Sequence, residues 1–196
     1  MWNERYSTPD YAYGTEPNDF LASVAAHIPP GRVLSIGDGE GRNGVHLATL
    51  GYAVTSVDAS TVGLAKAQRL AATRGVQITT VAADLADFVI APDSWQGIVS
   101  IFCHLPPPLR QRVHEQAARG LAPGGLFVLE SYSLRQLGRG TGGPSSAELL
   151  PTLDALRAEL AGLELLHAIE IEREVHEGEF HQGLSAVVQI IARKRG

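Results

Sequence analysis

Short apolar runs alternate along the chain with longer stretches in which apolar residues recur at helical spacing. The runs are rich in β-branched residues, which is typical of strands buried on both faces of a sheet. Five such strands are predicted, at 33–36, 53–58, 76–81, 95–102 and 126–131. Helices are predicted between them, at 45–50, 61–73 and 106–121. This alternation predicts a doubly wound parallel sheet of the Rossmann-like α/β class.

The pattern changes after residue 132. A glycine-rich loop at 138–144 precedes a predicted helix at 147–160 and two long extended runs, at 163–176 and 180–193. Because only a few residues separate these runs, we expect an antiparallel hairpin, since a parallel crossover needs about a dozen residues or more. The second run is apolar at most positions of both parities, which predicts a strand inserted within the sheet.

The N-terminal stretch has two interpretations. Residues 6–18 are polar and aromatic and are interrupted by prolines and a glycine, which predicts a loop packed on the domain. The rings and amides of Trp2, Tyr11, Tyr13 and Asn18 favour a lid over a small ligand equally well. A short helix at 20–28 is predicted to follow.

Length, charge and cysteine content narrow the class of protein. The 196 residues suit a single domain, divided into an N-terminal lid and helix segment (1–30), a cofactor-binding core (31–132) and a C-terminal part (133–196). A net charge of −5 predicts no nucleic-acid partner. The single cysteine, Cys103, fits a reducing compartment. With no signal peptide and no apolar run of about 20 residues, we expect a cytoplasmic protein with no membrane partner.

Gly37, Gly39 and Gly41 follow the first strand and directly precede a helix. Glycine lets the backbone approach a ligand closely, and the N–H groups of a helix N-terminus attract a negative group. The stretch therefore predicts a site for a nucleotide-type cofactor. Gly39, Gly41 and Gly44 also fit the G-x-G-x-x-G spacing of dinucleotide-binding enzymes. That match is displaced, because Gly37 closes the strand and counting from it puts Arg42 in the place of the third glycine.

Two acids follow later strands. Asp58 ends the second strand, 21 positions after Gly37, and an acid at about that separation is placed to accept hydrogen bonds from both hydroxyls of a ribose. Its alternative role is to cap the next helix, for which Ser60 is better placed. Asp84 ends the third strand, where it is either a hydrogen-bond acceptor for an exocyclic amine such as that of adenine or a loop carboxylate in water.

Across nearly its whole length the sequence is similar to the small class I S-adenosylmethionine-dependent methyltransferases of the tellurite-resistance type. Several separated motifs carry the resemblance. They are Trp2-x-x-x-Tyr6, Tyr13-Gly14-x-x-Pro17-Asn18-x-Phe20-Leu21, Gly39-Glu40-Gly41-Arg42-Asn43, Val57-Asp58-x-Ser60, Gly63-Leu64-Ala65-x-Ala67, Thr141-Gly142-Gly143-Pro144 and Glu177-Gly178-x-x-His181-x-Gly183. The resemblance implies a seven-stranded sheet that is parallel except for an antiparallel last strand.

The resemblance also implies S-adenosylmethionine as cofactor, S-adenosylhomocysteine as product and a small-molecule methyl acceptor, with no metal. The methionine end is expected near residues 37–43, the ribose on Asp58 and the adenine near Asp84, while the loop from Phe102 borders the methyl donor. Many class I enzymes have an acid where Ser35 stands here, so Asp38 is expected to share the role of holding the cofactor's amino group. The full cofactor-binding set is Gly37, Asp38, Gly39, Gly41, Arg42, Asn43, Asp58, Ala59, Ser60, Asp84, Leu85 and Phe102.

Four residues are candidates for the acceptor side: Tyr13, His104, Arg173 and His181. Arg173 has the strand parity of the covered face, where it either binds substrate or bridges a nearby glutamate. Each histidine is either a base or anion contact, or a structural residue. A thiolate, or a selenium or tellurium oxyanion, already carries its charge, so a base is optional. An NAD-dependent oxidoreductase and a non-catalytic nucleotide-binding sensor remain alternatives.

Overall fold

A computed structural model describes residues 2–196. Its strands are β1 (Arg32–Ile36), β2 (Ala53–Asp58), β3 (Thr79–Ala82), β4 (Trp95–Ile101), β5 (Leu121–Tyr132), β6 (Glu164–Glu177) and β7 (His181–Arg193). They form one seven-stranded sheet in the order β3-β2-β1-β4-β5-β7-β6. The first five strands pair in parallel, and β7 is antiparallel to both of its neighbours. The predicted sheet, hairpin and inserted last strand are confirmed.

Helices connect the strands. They are α1 (Trp2–Arg5), α2 (Asp19–Val24), α3 (Arg42–Thr49), α4 (Thr61–Thr73), α5 (Pro107–Gly120) and α6 (Leu153–Glu159). The Ser60 hydroxyl accepts a hydrogen bond from the Gly63 N–H at 3.0 Å, so Ser60 caps α4 as predicted. Within residues 2–196, no helix has the length and apolar character that a bilayer crossing requires.

Several predicted boundaries were wrong. The helix predicted at 147–160 is divided into a 3₁₀ turn at Ala147–Leu149 and α6, because Pro151 cannot continue a helix. The helix predicted at 20–28 likewise ends as a 3₁₀ turn. Strand β3 starts at Thr79, three residues later than predicted. Strand β5 starts earlier, at Leu121, and the glycines predicted to stop the preceding helix lie inside it, at a register shift.

Apolar clusters cover both faces of the sheet. Leu34 of β1 packs in one cluster with Val113 of α5 and Leu156 of α6. Val33, its neighbour, packs in the other with Val45 of α3. Because successive side chains of a strand point to opposite faces, the two clusters lie on opposite sides of the sheet, as a doubly wound fold requires.

The carboxyl ends of the parallel strands meet at one edge of the sheet. Strand β6 runs in the same direction, so its last residue, Glu177, reaches that edge too. The hairpin turn there contacts the N-terminal segment, where the Glu179 N–H donates to the Ala12 carbonyl at 3.0 Å. The fold therefore brings the glycine bend, the hairpin turn and the N-terminal segment to the edge where open α/β sheets bind ligands.

Candidate functional site

The glycine bend after β1 has a backbone conformation that favours glycine. Gly37, Gly39 and Gly41 have φ values of +62°, +54° and +84°. Protein atoms also occupy the space of a side chain, because a Cβ on Gly37 would lie 2.6 Å from Cys103 Sγ and one on Gly41 would lie 2.4 Å from Ala67 Cβ. Gly41 is the N-cap residue of α3, so the N-terminus of this helix lies at the bend.

Asp58 ends β2 with its carboxylate turned toward the bend. Its Oδ2 accepts from the Gly39 N–H at 2.9 Å and its Oδ1 accepts from the Ser60 N–H at 2.8 Å. Each carboxylate oxygen has a further lone pair, so Asp58 retains capacity for two more donors. Burial raises the pKa of Asp58, whereas each hydrogen-bond donor stabilises its charged form.

Asp38 is turned into the protein beneath the bend. Its Oδ1 accepts from the Ser35 hydroxyl at 2.7 Å and from the Gly44 N–H at 3.2 Å, and its Oδ2 accepts from the Ser56 hydroxyl at 2.6 Å. Burial raises its pKa, which these hydrogen bonds oppose. The carboxylate thus ties β1, β2 and α3 together, and its expected contact with the cofactor's amino group stays a prediction.

Other side chains of the predicted cofactor set also contact the protein. Arg42 donates to Glu177 of β6, and the Asn43 side-chain oxygen accepts from the Asn18 N–H at 2.9 Å. Ser60 caps α4. The backbones of Arg42 and Asn43 lie at the bend, whereas the side chains of all three residues hold neighbouring elements in place.

The predicted adenine side lies near the end of β3. Ala59 and Asp84 are exposed there. The Asp84 Oδ1 accepts from the Ala86 N–H at 2.8 Å in a local turn. Leu85 differs, because its side chain packs in the core.

The N-terminal segment lies over the bend. A Cβ on Gly39 would stand 2.5 Å from the Tyr6 hydroxyl oxygen, so the phenol covers this glycine. Next to it, the buried Glu40 accepts from the Ala12 N–H at 2.8 Å and from Lys66 Nζ at 2.6 Å. The segment is therefore packed on the domain, as the first interpretation predicted, and it covers the predicted cofactor loop, while its role as a lid over a ligand stays a prediction.

A buried network of charged groups connects this segment with the hairpin. Arg173 donates to Glu130 at 2.9 and 2.6 Å and to Glu177 at 3.1 Å. Asn18 donates to the same two glutamates, at 2.5 and 2.9 Å, and Arg42 pairs with Glu177. Of the two roles considered for Arg173, the structure shows glutamate bridging.

Five aromatic rings gather at the ends of β4 and β5, beside the bend. We call them the aromatic cluster: Tyr13, Phe102, His104, Tyr132 and His181. The His181 ring centroid lies 4.6 Å from that of Tyr13 and 4.8 Å from that of Phe102. Tyr132 is stacked 4.4 Å from Phe102 and 5.7 Å from His104. Three of the four acceptor-side candidates are thus brought together, and Arg173 is held in the neighbouring network instead.

Phe102 and Tyr132 shape the cluster. Phe102 has a φ of +50°, a conformation that is uncommon outside glycine and often marks functional turns. Tyr132 was missed by the sequence analysis, because the fifth strand was predicted to end at Ser131. A polar ring directly after an apolar strand was the available signal.

Both histidines of the cluster are neutral near pH 7. Burial lowers the pKa of His104 to about 4. Burial also lowers the pKa of His181, against the effect of the Glu177 carboxylate, whose Oε2 lies 3.9 Å from Nδ1. Neutral imidazoles can accept a proton, which is what a general base requires.

Comparison with known proteins agrees with this geometry. Residues 33–125 match the family model described as a methyltransferase domain. Residues 33–125 therefore carry a methyltransferase domain. Its cofactor is S-adenosylmethionine, and the glycine bend and the buried Asp58 fit that assignment. No curated protein matches the sequence.

Several solved structures resemble this chain over nearly its whole length. One structure comes from work on the conversion of a disulfide bond into a thioacetal group during echinomycin biosynthesis. Its TM-score is 0.77 and its sequence identity is 22%, and the match covers 98% of this chain and 88% of that one. TehB from Haemophilus influenzae has a TM-score of 0.75 and a sequence identity of 20%, and the match covers 99% of this chain and 66% of TehB. The N-methyltransferase NodS from Bradyrhizobium japonicum has a TM-score of 0.70 and a sequence identity of 15%, and the match covers 98% of this chain and 96% of NodS. At these identities the similarity establishes the fold.

Proposed function

We propose that the chain transfers a methyl group from S-adenosylmethionine to a small nucleophilic acceptor. The observation that carries the proposal is the position of Asp58, whose buried carboxylate faces the glycine bend and accepts the Gly39 N–H across it. The bend also lies next to the point where the strand order reverses between β1 and β4. Ligands of open α/β sheets bind at such points.

Most of the predicted cofactor residues have a role in this proposal. The backbone of residues 37–43 holds the methionine end, Asp58 accepts from the ribose hydroxyls and Asp84 accepts from the adenine amine. Phe102 and His104 border the reacting carbon. Tyr6, which already covers Gly39, closes the site from the N-terminal side.

The bound cofactor supplies a methyl group on a cationic sulfur, which is a good leaving group. The chain has to hold the acceptor in line with that carbon and exclude water. Orientation of this kind corresponds to about 7–11 kcal/mol in favourable cases. The aromatic cluster provides an apolar wall, and the neutral His181 is placed to take a proton from an acceptor that arrives protonated.

The finer assignment is to the tellurite-resistance type, which the sequence motifs and the structural similarity to TehB support. The proposal treats residues 1–196 as one domain working in the cytoplasm. Thiols and selenium or tellurium oxyanions are the first acceptors to test. The fold alone does not fix the acceptor.

A product assay tests the proposal. The protein is incubated with S-adenosylmethionine and, in turn, a thiol, selenite, tellurite and a small phenol, and S-adenosylhomocysteine is quantified. We expect product with at least one acceptor, strongly reduced product with Asp58→Ala and normal product with Asp87→Ala, which changes an exposed carboxylate near β3. Absence of product with every acceptor, together with tight binding of NADH, would contradict the proposal.

A further inference from the structure

Buried polar atoms without partners are concentrated in one place. Among residues 2–196, seven buried side-chain nitrogen or oxygen atoms have no hydrogen-bond partner. Three of them belong to the aromatic cluster: Tyr132 Oη, His104 Nε2 and His181 Nδ1. Most buried polar atoms in folded proteins are paired, so three unpaired atoms on neighbouring rings indicate a missing ligand.

Tyr132 is the most enclosed of the three. Its residue is fully buried. The glycine-rich loop crosses directly above it, since a Cβ on Gly142 would lie 2.5 Å from Tyr132 Oη and one on Gly143 would lie 2.8 Å from the ring. The Ser185 hydroxyl lies close enough to lower the pKa of Tyr132, but the two hydroxyls do not meet hydrogen-bond geometry, and the Ser185 hydroxyl is bonded to Thr141 and to the Gly183 carbonyl. The Tyr132 hydroxyl is therefore left for a ligand beneath the loop.

A groove adjoins the loop that covers this position. An open groove of about 500 Å³ runs between the loop and the hairpin turn, lined by Gly140, Gly142, Pro144 and Phe180 among others. The Phe180 carbonyl would contact a Cβ on Gly142 at 2.9 Å, so the groove adjoins the loop residue that covers Tyr132. The glycine loop therefore separates this groove from the Tyr132 hydroxyl.

The hydrogen-bonding character of the pocket follows from its partners. His104 Nδ1 lies 3.3 Å from the Leu149 carbonyl, which only accepts, so Nδ1 carries the proton and Nε2 is a bare acceptor. Burial raises the pKa of Tyr132, so its hydroxyl stays protonated and can donate. The pocket thus offers one neutral donor and one neutral acceptor.

The buried cations near the cluster are paired with carboxylates. Arg42 and Arg173, the cations nearest His181, are paired with Glu177 and Glu130. Arg5 lies over the Phe180 ring at 4.4 Å and is exposed. A charged oxyanion needs unpaired cations around it once it leaves water, whereas a neutral molecule does not.

We infer that Tyr132 and His104 bind a neutral acceptor whose nucleophile arrives protonated, namely the thiol of a small, mainly apolar molecule. The inference rests on the proposed methyl transfer. The acceptor sulfur forms a bond to the methyl carbon as the bond from that carbon to the sulfonium breaks. The electron pair of the broken bond stays on the cofactor sulfur. The thiol proton passes to His181. The products are a neutral thioether, S-adenosylhomocysteine and one proton.

Acidity separates thiols from neutral hydroxyl nucleophiles. An ordinary thiol has a pKa of about 8.5, a phenol about 10 and water 15.7, and each unit is a factor of ten in the ionised fraction. A neutral imidazole therefore ionises a thiol roughly 30-fold more readily than a phenol and many orders of magnitude more readily than an alcohol. In the proposal, the Tyr132 and His104 atoms hold the acceptor, and the difference in acidity selects sulfur over oxygen.

Calorimetry on the protein saturated with S-adenosylhomocysteine tests the binding part without requiring turnover. The probes are 2-phenylethanethiol, its alcohol analogue 2-phenylethanol, and selenite. We expect both neutral probes to bind more tightly than selenite. With S-adenosylmethionine, only the thiol should be methylated. Tighter binding of selenite than of the thiol would overturn the inference.

Two variants separate binding from folding. Tyr132→Phe removes a hydroxyl that has no partner, so the melting temperature should not fall, while thiol binding should weaken about tenfold. His104→Asn keeps a donor for the Leu149 carbonyl and removes Nε2, with the same expected loss. Tyr52→Phe, remote from the cluster, should leave thiol binding unchanged. If Tyr132→Phe lowers the melting temperature and leaves thiol binding intact, the residue is structural and the inference is wrong.

The inference and the proposed function fail in different ways. Binding of S-adenosylhomocysteine with no methylated product from any acceptor contradicts the proposed function. Methylation of selenite in preference to the thiol supports the proposed function and contradicts the inference.

Discussion

Single residues carry the cofactor assignment, and Asp58 carries most of it. Its two hydrogen bonds to backbone N–H groups fix the carboxylate, and its remaining lone pairs face the region where a ribose is expected. Sequence spacing predicted this residue because strand, bend and acid are close along the chain. The partners of Asp38 were not predictable, since Ser56 approaches it only once β1 and β2 pair. Arg173 was left with two roles because its partner, Glu130, is 43 positions away.

Asp58→Asn should weaken binding of S-adenosylhomocysteine. The variant keeps the size of the side chain and replaces one acceptor oxygen by a donor, so one ribose hydroxyl loses its charged partner. Hydrogen bonds to charged groups contribute about 1.5–3 kcal/mol, which corresponds to a roughly ten- to hundred-fold increase in Kd. Calorimetry measures it, with Asp87→Asn as the matched control. An unchanged Kd in a folded Asp58→Asn protein would remove the role given to Asp58.

At the scale of elements, the N-terminal segment and the hairpin depend on each other. The backbone of Gly178, with a φ of +70°, lies so close to Tyr13 that a Cβ would stand 2.4 Å from its Cα. The hairpin itself was predictable from its short connection. The contact with residues 6–18 was not, because it joins segments that are distant in sequence and needs the whole sheet to bring them together.

Gly178→Ala should unseat the N-terminal segment. The added methyl group meets backbone atoms that cannot move aside as a side chain can, and the positive φ adds strain. We expect amide hydrogen exchange at residues 11–14 to become at least tenfold faster. Gly162→Ala is the control, because a Cβ there meets nothing within 4 Å. Equal exchange in both variants would argue against this coupling.

Glu177 should make the stability of the hairpin depend on pH. Burial alone would raise its pKa, but His181, Arg42 and Arg173 lower it from 4.5 to about 2. The folded-state pKa is therefore below the unfolded one. The contribution of ionised Glu177 is complete above about pH 4.5 and is lost as the pH falls toward 2.

Glu177→Gln should accordingly lower stability at pH 6 and flatten its decline between pH 5 and 3. Removing one partner of a buried ion pair costs about 3–5 kcal/mol. Urea unfolding across this pH range measures the effect. Glu174→Gln, on the same strand with its side chain 60% exposed, should behave like the unchanged protein. If the two variants have parallel pH profiles, the network does not stabilise the fold in this way.

At the scale of the whole molecule, the sequence predicted more of the sheet than of the aromatic cluster. Apolar runs and short connections specify which strands are buried and which pair, so the parallel sheet and the inserted β7 followed from the sequence. The aromatic cluster draws its rings from the N-terminal segment, from β7 and from the ends of β4 and β5. No local sequence pattern predicts such a cluster, and Tyr132 was missed for that reason.

Ligand binding should stabilise the whole chain. S-adenosylhomocysteine at 100 times its Kd should add about 2.7 kcal/mol, or roughly 5–10 °C in Tm for a chain of this size. NADH at the same concentration should leave Tm unchanged. The reverse pattern in a thermal melt would favour the dinucleotide alternative.

A structure of the complex with S-adenosylhomocysteine tests the central claim most directly. The account predicts both ribose hydroxyls within hydrogen-bond distance of the Asp58 carboxylate, with the homocysteine end along residues 37–43. A nucleoside bound elsewhere, or an Asp58 that contacts no part of the ligand, would contradict it.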